Sequence, residues 1–167
     1  MFVEVGTLCA MPGELDADSV IELLGLEPLP HEGGMWCQTW KDDHSTAIYY
    51  LLRPGDFSAL HRLLAPELYH HYAGAPVELV MVLEDGTVDR VVLGDDLAAG
   101  QRPMAVVGPG IWQGSRTLGS WSLVGTTMAP PYTDEGFELG DADALLAAHP
   151  AAAEVIRCYT RPITRPR

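Results

Sequence analysis

The sequence predicts an all-β barrel or sandwich flanked by short helices. Three observations carry this reading. From residue 35 onward the hydropathy alternates with a period of two. The alternating runs are rich in Tyr, Val, Leu and Trp, which pack well on a pleated surface. Turn signals recur about every eight to twelve residues, the spacing of an all-β sandwich or barrel.

The elements follow in order. Asp16 or Asp18 caps a first helix whose apolar stripe is Val20, Ile21, Leu23 and Leu24, and Gly25 ends it. The next stretch, LEPLPHEGG, holds two prolines and two glycines and has no periodicity. Strands are expected over 35–41, 46–53, 57–63, 67–72, 77–83, 87–93, 104–107, 111–113 and 120–128. Glu84-Asp85-Gly86 supplies a hairpin turn. Gly108-Pro109-Gly110 reads as a turn entering a strand. Asp141 then caps a helical segment containing Leu145 and Leu146, and Pro150 opens a second helix over roughly 150–158. The expected organisation is one domain, with a core at about 30–139, a helical end at 141–158 and a basic tail at 159–167.

Composition bounds the partners. The chain has 167 residues, 47% of them hydrophobic, enough for a single domain with its own core. Ten Lys and Arg stand against 23 Asp and Glu, for a formal charge of −13. Such a chain is a poor match for nucleic acid or an anionic membrane. Arg157, Arg161, Arg165 and Arg167 crowd the last eleven residues, where no acid occurs. That tail reads either as a solvated terminus or as an arm for an acidic surface. Cys9, Cys37 and Cys158 are odd in number and widely spaced, which suits neither a zinc site nor a disulfide framework. No apolar run approaches the ~18 residues of a membrane span. The first residues lack the basic start of a signal peptide, so a cytoplasmic location is expected. GxGxxG, Walker, HExxH and GxSxG signatures are absent from the sequence.

Chemistry concentrates in GDFSALHRLLAPELYHHYAG, residues 55–74. The spacing of Gly55, His61, Leu63, Glu67 and Gly74 resembles the first cupin motif. In that motif histidines stand where His61 and Leu63 stand, and a glutamate where Glu67 stands. Gly108 to Gln113 is similar to the second cupin motif, with Gly108 for a proline and Gln113 for a histidine. The ordered pieces HEGGMW, STAIYYLL, GDFSALHR, ELYHHYAGAPVEL, LGDDLAAGQRP, GIWQ, SLVGTTMAP and GFEL narrow the likeness. Over roughly residues 15–157 they resemble a small single-domain cupin subfamily long catalogued as a domain of unknown function. The resemblance implies a jelly-roll barrel, the cupin double-stranded β-helix. It also implies a cytoplasmic homodimer, whose N-terminal segments pair with the neighbour's sheet. It assigns no reaction. His31 falls where the subfamily has His-Pro-Glu-Gly-Gly, and the proline is missing here.

Alternation over 57–63 puts Phe57, Ala59, His61 and Leu63 on one face, taken as the barrel interior, and Ser58, Leu60 and Arg62 on the other. Glu67 is expected across from His61, with Gln113 closing the group. In cupins this set binds a divalent transition metal. Here His61, Glu67 and Gln113 are the candidate ligands for Ni, Mn, Fe or Zn. The alternative is a satisfied buried His61–Glu67 pair that orders the barrel. From Glu67, simple alternation points Tyr69 and His71 inward, whereas the resemblance favours His70, which requires a bulge after Glu67. Trp36, Trp40, Tyr49, Trp112 and Trp121 are candidates for lining a ligand pocket, or else core residues. Tyr49, Tyr50 and Tyr72 are candidate proton donors. Lys41 and Arg53 are candidates to neutralise a carboxylate or phosphate, which leaves an anionic ligand open. Glu67 and Glu32 are the acids expected near the site, and the others solvate the exterior.

Three functional readings remain open at this point. One is a metal-independent isomerase, epimerase or lyase on a small sugar-like substrate, by analogy with deoxysugar-nucleotide epimerases of the same fold. In it His61 is the base, tuned by Glu67, and a tyrosine returns the proton. The second is a metal-dependent cupin enzyme using His61, Glu67, Gln113 and His70. The third is a non-catalytic small-molecule binding module.

Overall fold

The computed structural model describes residues 15–161. Cys9, Arg165, Arg167 and the expected N-terminal pairing segment lie outside the described residues. In chain order the elements are α1 (Ala17–Leu24), β1 (Glu27–Pro28), β2 (Met35–Lys41), β3 (Thr46–Leu52), β4 (Ser58–Leu63), β5 (Glu67–Gly74), β6 (Val77–Val82), β7 (Val88–Leu93), β8 (Met104–Val107), β9 (Trp112–Thr117), β10 (Ser122–Met128), β11 (Phe137–Leu139), α2 (Ala142–Ala148) and α3 (Ala153–Tyr159). The strands form two antiparallel sheets, ordered β1-β2-β3-β10-β5-β8 and β11-β4-β9-β6-β7. Sequence neighbours such as β4 and β5 lie in different sheets, as jelly-roll winding requires. Among the described residues, no helix is long and apolar enough to cross a membrane.

The helices start and stop where the caps dictate. Asp16, not Asp18, accepts the Ser19 N–H, and Gly25 closes α1 with a left-handed φ of 63°. Asp141 accepts the Ala144 N–H to open α2. A 3₁₀ turn over Pro150–Ala152 leads into α3, so the expected second helix starts as a tighter turn.

Apolar material sits in three layers. Tyr50, Leu52, Tyr69, Leu79, Met81 and Val124 pack between the sheets. Leu60, Val80, Val82 and Trp112 pack beneath α2 and α3, against Leu145, Val155, Ile156 and Tyr159. Val20 and Leu26 of the α1 region cover Leu51 on the outside of the larger sheet. β6 reads as a nearly continuous apolar run because both of its faces are covered. Its exception, Glu78, accepts from Tyr159 Oη at 2.6 Å and pairs with Arg90 and Arg116.

Two irregularities decide which side chains reach the interior. Pairing of β4 with β9 shifts register between Ser58 and His61. Phe57, expected inside, therefore packs against Tyr159 of α3 at 6.0 Å. Pairing of β5 with β10 shifts where His71 lies opposite Val124 and Ala73 opposite Leu123, so Tyr72 is the extra residue. The bulge falls after His71, not after Glu67.

Candidate functional site

One end of the barrel opens into a cavity of about 560 Å³. β4 brings His61 and Leu63 to it, β5 brings Glu67 and Tyr69, and β3 brings Thr46, Ile48 and Tyr50. The loop before β2 brings Leu29, Pro30, His31 and Glu32, and the segment around β11 brings Tyr132, Asp134 and Phe137.

At its floor stands a row of three ionisable groups. His61 is buried, with Nδ1 2.8 Å from the Ala59 carbonyl and 3.5 Å from Glu32 Oε2. Its Nε2 lies 3.9 Å from Glu67 Oε2. Burial alone disfavours the imidazolium, but the Glu32 and Glu67 carboxylates outweigh it and lift the pKa to about 9. Burial, reinforced by the neighbouring Glu67 charge, raises the Glu32 carboxyl above its ordinary range even with His61 beside it. Ser58 Oγ donates to Glu32 Oε2 at 3.4 Å, and Gln113 Nε2 donates to Glu67 Oε2 at 2.7 Å. Each carboxylate thus spends Oε2. The Tyr69 hydroxyl stands beside Glu67, and burial with that neighbouring charge pushes its phenol well up.

The loop carrying Glu32 is held from several sides. Gly33 and Gly34 adopt φ of 94° and 73°, and a side chain on Gly34 would collide with the Tyr50 ring. Tyr50 Oη donates to the Gly33 carbonyl at 2.9 Å, and the Gly34 N–H donates to Asp56 Oδ2 at 2.7 Å. Arg161 reaches in from beyond α3. It pairs with Asp56, donates to the carbonyls of Phe57 at 2.8 Å and Glu32 at 3.3 Å, and lies over the Phe57 ring. Sequence reasoning treats Arg161 only as part of a basic tail. The hint available was the spare charge itself, but nothing local links it to a loop about 130 residues away.

Of the sequence candidates, His61, Glu67, Glu32, Tyr50, Trp36 and Lys41 line the cavity. Gln113 touches it through Glu67. The others lie elsewhere. His70 projects from the opposite face of β5, where it stacks on Tyr72 and sits 3.5 Å from Thr127 Oγ1. His71 instead places Nε2 3.1 Å from the Ala75 carbonyl. Tyr49 and Tyr72 meet edge to face outside the larger sheet at 5.9 Å, because alternation sends Tyr50 inward in their place. Arg53 pairs with Asp18 at 3.1 Å. Trp112 packs beneath the C-terminal helices under the Arg62 guanidinium. Trp121 packs with α1, its Nε1 donating to Leu15. Trp40 is exposed. Beyond the candidates, the structure adds Tyr69, Thr126, Met128, Tyr132 and Phe137 to the cavity wall.

The donor set does not fit a transition metal. Leu63 presents hydrocarbon to the cavity beside His61. Gln113 turns its amide N–H₂ toward Glu67, and the reverse orientation would set two oxygens 2.7 Å apart. Its Oε1 is buried with no partner. Of the expected set one imidazole nitrogen and one carboxylate remain, and Glu32 lies against the other ring nitrogen, Nδ1. Among the described residues no group of three or more His, Cys, Asp or Glu is placed to hold a metal ion.

Comparison with known proteins places this geometry. Protein SO0799 from Shewanella oneidensis has 35% identity and a TM-score of 0.85, over 89% of this chain and 99% of its own. A hypothetical protein from Leishmania major has 26% identity and a TM-score of 0.81, over 87% and 99% of the two chains. An oxalate decarboxylase from Lactobacillus farciminis shares the fold alone, with 10% identity and a TM-score of 0.56 over 83% of this chain and 43% of its own. No curated protein matches the chain. A family model described as Cupin superfamily (DUF985) matches residues 18–140. That match spans most of the chain, and the protein belongs to this family, Cupin_5, of the cupin superfamily.

Proposed function

We propose that the cavity is the proton-transfer site of a small-molecule enzyme of the isomerase, epimerase or lyase class, working without a metal. The observation that carries this reading is the Glu32–His61–Glu67 row at the cavity floor. The roles differ from those expected of the sequence. An imidazole with a pKa of about 9 is already protonated at neutral pH, so His61 is not the base. Glu32 is the better base, since its raised pKa makes it more basic than a surface carboxylate. In this mechanism Glu32 Oε1 takes a proton from a carbon next to a carbonyl, and the C–H electron pair moves into the carbonyl oxygen. Imidazolium charge at His61 stabilises that enolate. Tyr132 supplies a nearby O–H, kept protonated because burial and the neighbouring Asp134 push its phenol to about 12. Return of the proton to either face, or to the neighbouring carbon, completes an epimerisation or isomerisation with no co-reactant.

The test is hydrogen exchange. Small carbonyl compounds are incubated with the protein in D₂O, and loss of C–H signal is followed by NMR. One chemical class is expected to exchange, and Glu32→Gln is expected to slow it by roughly 10²- to 10⁴-fold with the fold intact. A ligand that binds and never exchanges overturns the reading in favour of a binding module.

The metal question has its own measurement. Leu63→His with Gln113→His adds two imidazoles beside His61 and Glu67. This double variant is expected to retain a divalent metal at close to one per chain by elemental analysis, where the parent protein does not. Stoichiometric metal in the parent, lost on His61→Ala, would defeat the metal-free mechanism.

A further inference from the structure

Resting on the reading that this cavity is the working site, we propose that its ligand is a small organic cation, an ammonium group carried on a compact apolar body. Charge gives the first argument. Glu32, Glu67 and Asp134 line the cavity. Among the described lining residues Lys41 is the only one with a fixed positive charge, and no arginine takes part. His61 is flanked by its own two carboxylates, which offset its charge. The arginines that an anionic ligand would use are engaged elsewhere. Arg53 pairs with Asp18, and Arg62 pairs with Glu138 over the Trp112 ring.

Acceptor geometry gives the second. The Oε1 atoms of Glu32 and Glu67 are carboxylate acceptors, with the Tyr69 hydroxyl beside Glu67. They suit an N–H or O–H on a cation and repel a second carboxylate at close range.

Wall chemistry gives the third. Trp36, Tyr50, Tyr69, Tyr132 and Phe137 bring five aromatic rings to one cavity. Aromatic faces together with carboxylates are how proteins hold ammonium groups away from water. Leu29, Ile48, Leu63 and Met128 add apolar wall beside the rings, and Gln38, Thr46 and Thr126 are the neutral polar side chains among them. At about 560 Å³ the cavity holds a compact molecule rather than a polymer end. The anion that the sequence left open is a poorer match to these walls.

The test uses three probes of similar small size in NMR titrations of the full chain, read at the His61 imidazole and the cavity aromatics. The probes are choline, its uncharged carbon isostere 3,3-dimethylbutan-1-ol, and oxalate. Choline is expected to bind at least ~10-fold more tightly than the isostere, the scale of a desolvated cation–π contact. Oxalate is expected not to compete. Tyr132→Leu should weaken choline several-fold while leaving the isostere nearly unchanged. Equal or tighter binding of the isostere, competition by oxalate, or no binding of choline in the millimolar range each overturns the proposal. The two readings fail separately. If the isostere wins, the ligand class falls and proton transfer stands. If cations bind but no cationic carbonyl compound exchanges its C–H, proton transfer falls and the ligand class stands.

Discussion

Stability is expected to drop by about 3 kcal/mol as the pH rises from 6.5 to 9, because only folded His61 holds its proton in that window. Below 6.5 the imidazole is charged in both the folded and the unfolded chain, and its ion pairs contribute in full. Between the two values the folded protein keeps the proton that the unfolded chain has lost. Above 9 both states are neutral and the contribution is gone. The side chain is only 3% exposed, so solvent screening removes little of the effect. Glu32 acts in the same direction at lower pH, since an acid whose pKa is raised by burial also loses stabilisation as the pH rises. Urea midpoints measured across the range check the result. In His61→Gln the step between 6.5 and 9 should vanish. At pH 7 that variant should be less stable by about 3 kcal/mol, since it leaves the buried Glu67 and the part-buried Glu32 without their cation. The gap between the two proteins should close toward alkaline pH. An identical decline in His61→Gln would show that other groups cause it.

The barrel was legible because alternation is a local signal. Each strand from β2 to β10 overlaps an expected run, and Asp16, Gly25 and Asp141 act as the sequence indicates. The motif spacing also brought His61, Glu67 and Gln113 together correctly as neighbours. What failed was the facing of residues next to bulges. His71 shares the Glu67 face as plain alternation says, and the bulge that would have turned His70 inward lies beyond it at Tyr72. Phe57 was misplaced for the same reason, by the slip between Ser58 and His61. A bulge adds one residue without a distinctive sequence, so period-two counting cannot see it. Aromatic candidates suffered differently. Trp112 and Trp121 have the composition of pocket residues, but α3 and α1 cover them, and helix docking is a long-range event. Glu32 became central through the same kind of closure. Its loop has no periodicity, and contacts with Tyr50, Asp56 and Arg161 fix where it points.

Arg161→Ala is expected to loosen the site without touching the cavity wall. Its guanidinium donates to Phe57 and Glu32 carbonyls, pairs with Asp56 and covers the Phe57 ring, so one truncation frees four partners. The loss should be about 2 kcal/mol, the scale for stranding part-buried acceptors of a charged donor. The consequence for function is more telling than the stability. Asp56 also accepts the Gly34 N–H, and the Glu32 carbonyl also accepts from Ala59 at 2.8 Å, so the loop is clamped at both ends of Gly33. With Arg161 gone, Glu32 moves more freely and its carboxylate spends less time 3.5 Å from His61. The His61 pKa should then fall from about 9 toward 6.5, read by NMR titration. Arg161→Lys keeps the pair with Asp56 but cannot span three oxygens and a ring, and should fall between the two. A stability loss with the His61 titration unmoved would make Arg161 a tether for the C-terminal helix alone. A shifted titration makes it a positioning residue for the base, acting from more than a hundred residues downstream.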